Sequence, residues 1–172
     1  MVKLISSVLI LSSCIGYAGT LMEKQKYHRD VLLSLICILS LLAGEIRYER
    51  LTMAEALGRL TEKYHGPAGE VMQKIADRLR EVSCEDLESV WRFYFQEEQS
   101  RLMLSGEEID ILLETGRNLG YLDVEAQVGH LHRCRERLEL KLREAEKNMA
   151  EKKKLYGYLS VAAGVMMILI LV

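Results

Sequence analysis

The chain has 172 residues, which is enough for one domain. Of its 23 Lys+Arg and 25 Asp+Glu residues only Lys3 lies outside 23–154, so this middle part carries 22 positive and 25 negative charges, a net of −3. Such a balance gives no reason to expect nucleic-acid binding, which favours a basic face. A single proline among many Leu, Glu, Lys, Arg and Ala residues is typical of long helices.

The first predicted element is a transmembrane helix within residues 1–22. Leu4–Met22 carries no charge, and at ~1.5 Å per residue it spans roughly 28 Å, close to the hydrocarbon thickness of a bilayer. Two alternatives stay open: Leu11-Ser12-Ser13-Cys14 resembles a lipobox that would lipidate Cys14, and Ala18-Gly19-Thr20 resembles a signal-peptidase site. The apolar run continues past Cys14, which favours the membrane helix.

Residues 23–154 are predicted to form a helical domain. Val31–Ala43 is apolar except for Ser34 and Ser40 but too short to span a bilayer, and it predicts a buried core helix. This helix either continues from the first membrane helix or breaks from it near Lys24. Thr52-Met53-Ala54-Glu55 is a capping box, in which the Thr side chain accepts an amide hydrogen bond and the Glu reaches back. The helix that it starts is predicted from Met53 to about Tyr64, before the breaker Gly66-Pro67.

Three further helices follow, each with an apolar stripe at helical spacing. Capping signals at Ser83–Asp86 and Ser105–Glu108 start the second and the third of them. The predicted core-facing residues are Val71, Met72, Ile75 and Leu79 in the first, Leu87, Val90, Trp91, Tyr94 and Phe95 in the second, and Ile109, Leu112 and Leu113 in the third.

The last helix of the domain has a heptad pattern. Positions 124, 128, 131, 135, 138, 142, 145 and 149 hold Val, Val, Leu, Arg, Leu, Leu, Ala and Met, which predicts an apolar seam interrupted at Arg135. Arg135 is either a buried partner of an acidic residue or a side chain that faces water. Asp123 is the predicted N-cap. No break is expected before Lys154, so this helix is predicted to continue towards the second membrane segment.

A second transmembrane helix is predicted over residues 155–172, which carry no charge. Lys24 and Lys26 follow the first membrane segment, and Lys152–Lys154 precede the second. The positive-inside rule therefore places residues 23–154 in the cytoplasm and both termini outside. The predicted fold is all-α, a compact bundle of about six helices flanked by N- and C-terminal transmembrane helices.

No residue cluster in the sequence predicts catalysis, a cofactor or a metal site. His130 and Cys134 share a helix face near His132, but zinc needs three or four ligands. Glu107 and Glu108 resemble an acid–base pair, yet they lie in a first helical turn, where the helix dipole stabilises negative charge. The chain is therefore predicted not to be an enzyme.

Two motifs in the domain bear a family resemblance. The first comprises Glu45-Ile46-Arg47-Tyr48, Leu51 and Glu55-Ala56, and the second comprises Gly116, Leu119, Gly120, Asp123 and Gln127. They resemble the Glu-x-x-Tyr, Pro-Leu-x-Glu-Ala and Gly-x-x-Leu-Gly-x-x-Asp-x-x-x-Gln patterns of the stage III sporulation protein AB family, whose order of membrane and helical segments also agrees. The family usually has proline before its second helix, where this chain has Thr52 and Ala54; Thr52 takes over as the capping residue, so the turn is expected to survive.

The resemblance implies a structural component of a secretion-like or channel-like complex between mother cell and forespore during endospore formation. It implies a domain similar to the inner-membrane platform protein of type II secretion and type IV pilus systems. Such a protein would scaffold a secretion-type ATPase and other stage III sporulation membrane subunits in the mother-cell membrane around the forespore, and it is compatible with a homo-oligomer. Glu45, Tyr48 and Glu55 are then either core polar residues or a partner patch, and Gly116–Gln127 is a structural turn.

A second interpretation stays open beside this one. If Cys14 is lipidated, the chain is an extracytoplasmic lipoprotein or helical adaptor that pairs with another protein through its C-terminal heptad helix. The two interpretations place the charged domain on opposite sides of the membrane.

Overall fold

The computed structural model of the chain describes residues 2–49, 51–61, 64–81, 86–119 and 123–171, without the side-chain surroundings of 1–19 and of most of 155–172. Within these ranges the helices are α1 (Val2–Glu49), α2 (Met53–Thr61), α3 (Pro67–Glu81), α4 (Leu87–Glu97), α5 (Gln99–Leu102), α6 (Gly106–Leu119) and α7 (Val124–Leu171). No strand occurs among the described residues, which confirms the all-α class for this part of the chain.

The helices differ from the prediction in number and in extent. The heptad helix continues without a break into the last apolar segment as α7, as predicted. The first apolar segment and the predicted core helix also form one continuous helix, α1, which is one of the two arrangements that the sequence left open. The short helix α5 was not predicted; it ends at Met103, which adopts a left-handed conformation with φ 55°. Helix α2 ends at Thr61 rather than at about Tyr64, although the Tyr64 N–H still donates to the Leu60 carbonyl at 3.1 Å.

The chain divides into two compact units, residues 1–27 with 143–172, and residues 28–142. The first unit holds nearly all of both predicted transmembrane segments, 1–22 and 155–172. Because most of their side chains lie outside the described part, membrane crossing by these segments stays a prediction. Among the described residues one helical stretch, Met22–Tyr48, is long and apolar enough to cross a membrane, with a mean hydropathy of 1.9, and 44% of its apolar window is buried inside the protein.

In the unit of residues 28–142, α1 is a core helix, as predicted for Val31–Ala43. Its buried residues are Val31, Leu32, Leu35, Ile38, Leu39, Leu42, Ala43 and Ile46. Arg47 extends from α1 to Glu125 of α7, with 2.8 Å between guanidinium and carboxylate. Cys37 Sγ lies 3.1 Å from Tyr64 Oη in the connection after α2. One helix therefore contacts elements from early and late parts of the chain.

The other helices complete the core of this unit. Helix α3 packs against α2 and α4, and α4 packs against α6. The predicted core positions that are buried are Val71, Met72, Ile75, Val90, Trp91, Phe95, Ile109 and Leu112. Four predicted core positions, Leu79, Leu87, Tyr94 and Leu113, are only half-buried. Leu79 and Leu87 lie in terminal turns of α3 and α4, where fewer neighbouring side chains surround a residue.

The capping signals that fall in the described part are confirmed by hydrogen bonds. Thr52 Oγ1 accepts the N–H of Glu55 at 3.4 Å while Glu55 Oε2 accepts the N–H of Thr52 at 3.1 Å. Asp86 caps α4 by accepting the Ser89 N–H at 2.5 Å; residues 83–85 of that signal lie outside the described residues. These bonds satisfy amides that a helix N-terminus leaves without intrahelical partners.

Four of the eight predicted heptad positions are buried by the chain's own bundle, whereas Ala145 and Met149 are only half-buried. Val128, Leu131, Leu138 and Leu142 are core residues. Val124, at 40% exposed, is not, and Cys134, at 2% exposed, takes the core position predicted for residue 135. Residues 131, 134 and 138 keep helical spacing, so the stripe moves by one residue there. A coiled coil with another protein through these residues would require the bundle to open.

Arg135 lies beside the stripe and is half-buried. Its Nε is 3.3 Å from Glu139 Oε1, one turn further along α7, and among the described residues this buried nitrogen makes no hydrogen bond. Arg135 therefore pairs with an acidic residue of its own helix, and part of its side chain remains exposed.

Candidate interaction surfaces

The second family-like motif lies where α6 turns into α7. Gly116, in α6, packs against the indole of Trp91: a Cβ added to this glycine would lie 2.7 Å from Trp91 Cγ. The indole is fully buried and its Nε1 donates to the Leu112 carbonyl at 2.9 Å. Glycine is needed here because the indole occupies the space that a side chain would take.

Asp123 and Gln127 hold the start of α7. The Asp123 carboxylate accepts the Ala126 N–H at 2.9 Å, so the predicted N-cap is confirmed. Gln127 Nε2 donates to the Leu119 carbonyl at 2.7 Å, which supplies a partner to a carbonyl at the end of α6. These bonds give both residues a structural task without any ligand. Gly120 lies outside the described residues.

Three residues of the first family-like motif, Glu45, Tyr48 and Glu55, differ in their burial and in their partners. Glu55 is engaged in the cap of α2, where the hydrogen bonds from Thr52, aided by Arg59, hold the pKa of its carboxyl below its usual value. Glu45 is half-buried and its Oε2 lies 3.9 Å from Arg59 Nη1; among the described residues this oxygen accepts no hydrogen bond. Tyr48, by contrast, is 82% exposed. Tyr48 is therefore not a core residue.

A histidine–carboxylate pair joins α1 to the start of α6. His28 Nε2 lies 3.1 Å and 2.9 Å from the two Glu108 carboxylate oxygens, and Glu108 Oε2 also accepts the Ser105 N–H at 2.7 Å. Burial opposes ionisation of the Glu108 carboxyl, but the hydrogen bonds from His28 and Ser105 outweigh it, so its pKa is lowered. The capping box of Ser105 and Glu108 was readable in the sequence, whereas its partner His28 was not.

A second buried carboxylate, Glu98, pairs with two cations. It is 8% exposed and pairs with Lys74 of α3 and, at 3.3 Å, with Arg101 of α5. The hydrogen bond from Lys74 holds the pKa of the Glu98 carboxyl below its usual value. Glu98 and Arg101 are three residues apart, but no spacing in the sequence signalled their partner Lys74, which lies in the separate helix α3. The ion pairs of Glu98 tie the helices together and explain the buried charge structurally.

Of the candidate metal ligands in the sequence, Cys134 lies in the core. Burial of Cys134 raises the pKa of its thiol to about 11. A thiol of this kind stays protonated at neutral pH. Within the part of the chain that the structure describes, no three His, Cys, Asp or Glu side chains converge as metal ligands.

An open groove lies between α3 and α4. It has a volume of about 490 Å³ and is lined by Arg78, Ser89, Val90, Phe93 and Tyr94. Phe93 is 59% exposed, and its ring meets that of Tyr94 edge-on, with 5.2 Å between centroids. The surface thus offers an aromatic side chain next to a guanidinium, a composition that is enriched at protein interfaces.

Comparisons with known proteins agree with the resemblance noted above. The sequence profile of the stage III sporulation protein AB family matches residues 3–172. No curated protein sequence matches the chain. A solved structure described as stage III sporulation protein AB is similar, with a TM-score of 0.67 and 20% sequence identity over 72% of this chain and 97% of that chain. At this identity the structural likeness shows a shared fold and no more.

Proposed function

The chain belongs to the stage III sporulation protein AB family, and from that premise we propose that it is a structural membrane component of a secretion-like or channel-like complex between mother cell and forespore. It acts as a platform for a secretion-type ATPase and for neighbouring stage III sporulation subunits. It lies in the mother-cell membrane around the forespore, with residues 23–154 in the cytoplasm and with no catalytic role of its own. The observation that carries this proposal is the family match over nearly the whole chain.

Several polar residues of the bundle hold its helices together, and this supports a platform role. Glu108 is held by His28, and Glu98 is held by Lys74 and Arg101. Asp123 caps the start of α7, and Gln127 joins it to the end of α6. These contacts brace helices against one another, as a scaffold requires. The groove with Phe93 gives the bundle an exposed aromatic surface on which a partner can dock.

Deletion of the gene tests the place of the chain in endospore formation. We expect the deletion strain to complete engulfment and then to arrest, and the full-length chain to restore spore yield. Normal spore numbers without the chain would contradict the proposal.

The platform role is tested by co-purification from sporulating cells solubilised in mild detergent. We expect the ATPase to co-purify with the full-length chain. We expect it to be lost from Phe93→Glu, because this substitution places a charge in the proposed docking groove. Phe93 is exposed, so its replacement leaves the core intact. Gln96→Glu, at an exposed position of the same helix, is the control that should retain it. Retention of the ATPase by the Phe93 variant would remove the groove as its docking site, and absence of the ATPase from the wild-type eluate would contradict the platform role.

A further inference from the structure

The charges of the chain are divided unequally between its two compact units. The unit of residues 1–27 and 143–172 contains eight Lys or Arg and four Glu residues, a net of +4, whereas residues 28–142 contain 15 basic and 21 acidic residues, a net of −6. All basic residues of the first unit except Lys3 lie in 24–26 or 143–154, next to the uncharged end segments. An anionic ligand would therefore be attracted to this unit and repelled by residues 28–142.

Four lysines of the first unit are exposed and make no ion pair. We call them the lysine cluster, and they are Lys24, Lys26, Lys152 and Lys154. Within the part of the chain that the structure describes, no carboxylate pairs with any of the four. In residues 28–142, by contrast, most described basic side chains pair with a carboxylate, as Arg47 does with Glu125. The lysine cluster therefore presents positive charge that the chain itself does not neutralise.

On α7 the lysine cluster is followed directly by an exposed apolar face. Leu155, Leu159 and Met166 are each at least 60% exposed. At roughly 100° per residue these three positions fall with Lys152 within about 60° of the helix surface, and the four extend over about 21 Å. Tyr158 is also exposed, and tyrosine is enriched at the headgroup level of membranes. One side of α7 thus has a cation at its beginning and apolar side chains along the rest.

We propose that the lysine cluster binds the headgroups of anionic phospholipids, with an acyl chain along the face of Leu155, Leu159 and Met166. This inference rests on the proposed anchoring of residues 155–172 in the membrane. Groups of four to eight basic residues beside a membrane helix are typical of anionic-lipid recognition.

The two features together select a lipid over other ligands. An acidic protein or a nucleic acid would account for the lysines but not for the apolar face that continues from Lys152. A partner helix of apolar residues would account for that face but not for the lysines without ion pairs. An anionic phospholipid has a charged headgroup joined to an apolar chain, and it therefore matches both in the order in which α7 presents them.

Native mass spectrometry of the full-length chain tests the lipid preference. The chain, purified in a non-ionic detergent, is mixed with equal amounts of dioleoylphosphatidylglycerol and dioleoylphosphatidylcholine, which have the same acyl chains. We expect phosphatidylglycerol to bind at least about tenfold more tightly, because each lysine beside an anionic headgroup strengthens binding by roughly fivefold. The preference should weaken as the salt concentration is raised. Glycerol phosphate, which has the charge but no acyl chain, should not displace the lipid at equal concentration.

A pair of substitutions assigns the preference to the lysine cluster. The combined variant Lys152→Gln and Lys154→Gln should lower the preference for phosphatidylglycerol by at least about tenfold. The matched control combines Arg117→Gln and Arg133→Gln, which also removes two positive charges, from exposed positions of residues 28–142. We expect the control to keep the wild-type preference. Emission from the buried Trp91 checks that each variant is folded.

Equal binding of the two lipids by the wild type would overturn the proposal. So would an unchanged preference in the lysine variant, an equal loss in the control, or displacement of the lipid by glycerol phosphate. These measurements need no sporulating cells. A chain that prefers phosphatidylglycerol but whose deletion leaves sporulation normal would contradict the proposed function alone, and a chain that sporulation requires but that binds both lipids equally would contradict the lipid site alone.

Discussion

Gly116 has no side chain, and this leaves room in the core for the indole of Trp91. Gly116→Ala would push a methyl group into the Trp91 indole, which is fully buried and held by its hydrogen bond to Leu112. Overpacking of this kind typically costs about 1–3 kcal/mol. We expect the free energy of unfolding to fall by that amount, measured by urea unfolding of the full-length chain with the fluorescence of Trp91, its one tryptophan.

The control for this substitution is Gly129→Ala. Its methyl group enters open space in a helix interior, where alanine is favoured over glycine by up to about 1 kcal/mol. The two variants should therefore change stability in opposite directions. Equal effects would show that the indole does not pack on Gly116 as the structure has it.

At the scale of whole helices, the His28–Glu108 pair fastens α1 to the beginning of α6. Glu108→Gln removes a carboxylate that accepts hydrogen bonds from His28 and Ser105, so we expect a loss of about 1–3 kcal/mol of unfolding free energy at pH 7. The control Glu107→Gln changes the adjacent, mostly exposed carboxylate and should cost less than about 1 kcal/mol.

The pH dependence of this pair has a definite sign. The folded-state pKa of Glu108 lies below its ordinary value of 4.5. Its carboxylate therefore contributes full stability above pH 4.5, and the contribution is lost as pH falls through the lower folded pKa. The stability difference between wild type and Glu108→Gln should therefore shrink as the pH falls below 4.5. A difference that stays unchanged well below pH 4.5 would contradict this expectation.

For the molecule as a whole, the sidedness of the membrane decides between the two interpretations of the sequence. In a cysteine-free chain, Lys153→Cys should be protected from a membrane-impermeant maleimide in intact cells and labelled after lysis. The lysines at both inner flanks favour that result. A control cysteine added after Val172 should show the opposite pattern. Labelling of position 153 in intact cells would place the domain outside and favour the lipoprotein or adaptor.

Local patterns in the sequence determined much of the fold. Capping boxes at Thr52 and Ser105, the N-cap at Asp123 and the apolar run Val31–Ala43 depend on residues within a few positions of one another, so their hydrogen bonds and burial were readable directly. The one-turn helix α5 was missed because a methionine, not a glycine, adopts the left-handed conformation that ends it.

Only the tertiary structure decided which side chains of those helices contact one another and which helix faces are buried. His28 and Glu108 are 80 positions apart, and no spacing along the chain brings them together. The move from Arg135 to Cys134 in the core stripe, and the exposure of Leu33 and Leu41, likewise depend on which neighbouring helices cover α7 and α1. The spacing of apolar residues identifies the apolar faces of a single helix. Which of these faces is buried depends on the elements that pack against the helix.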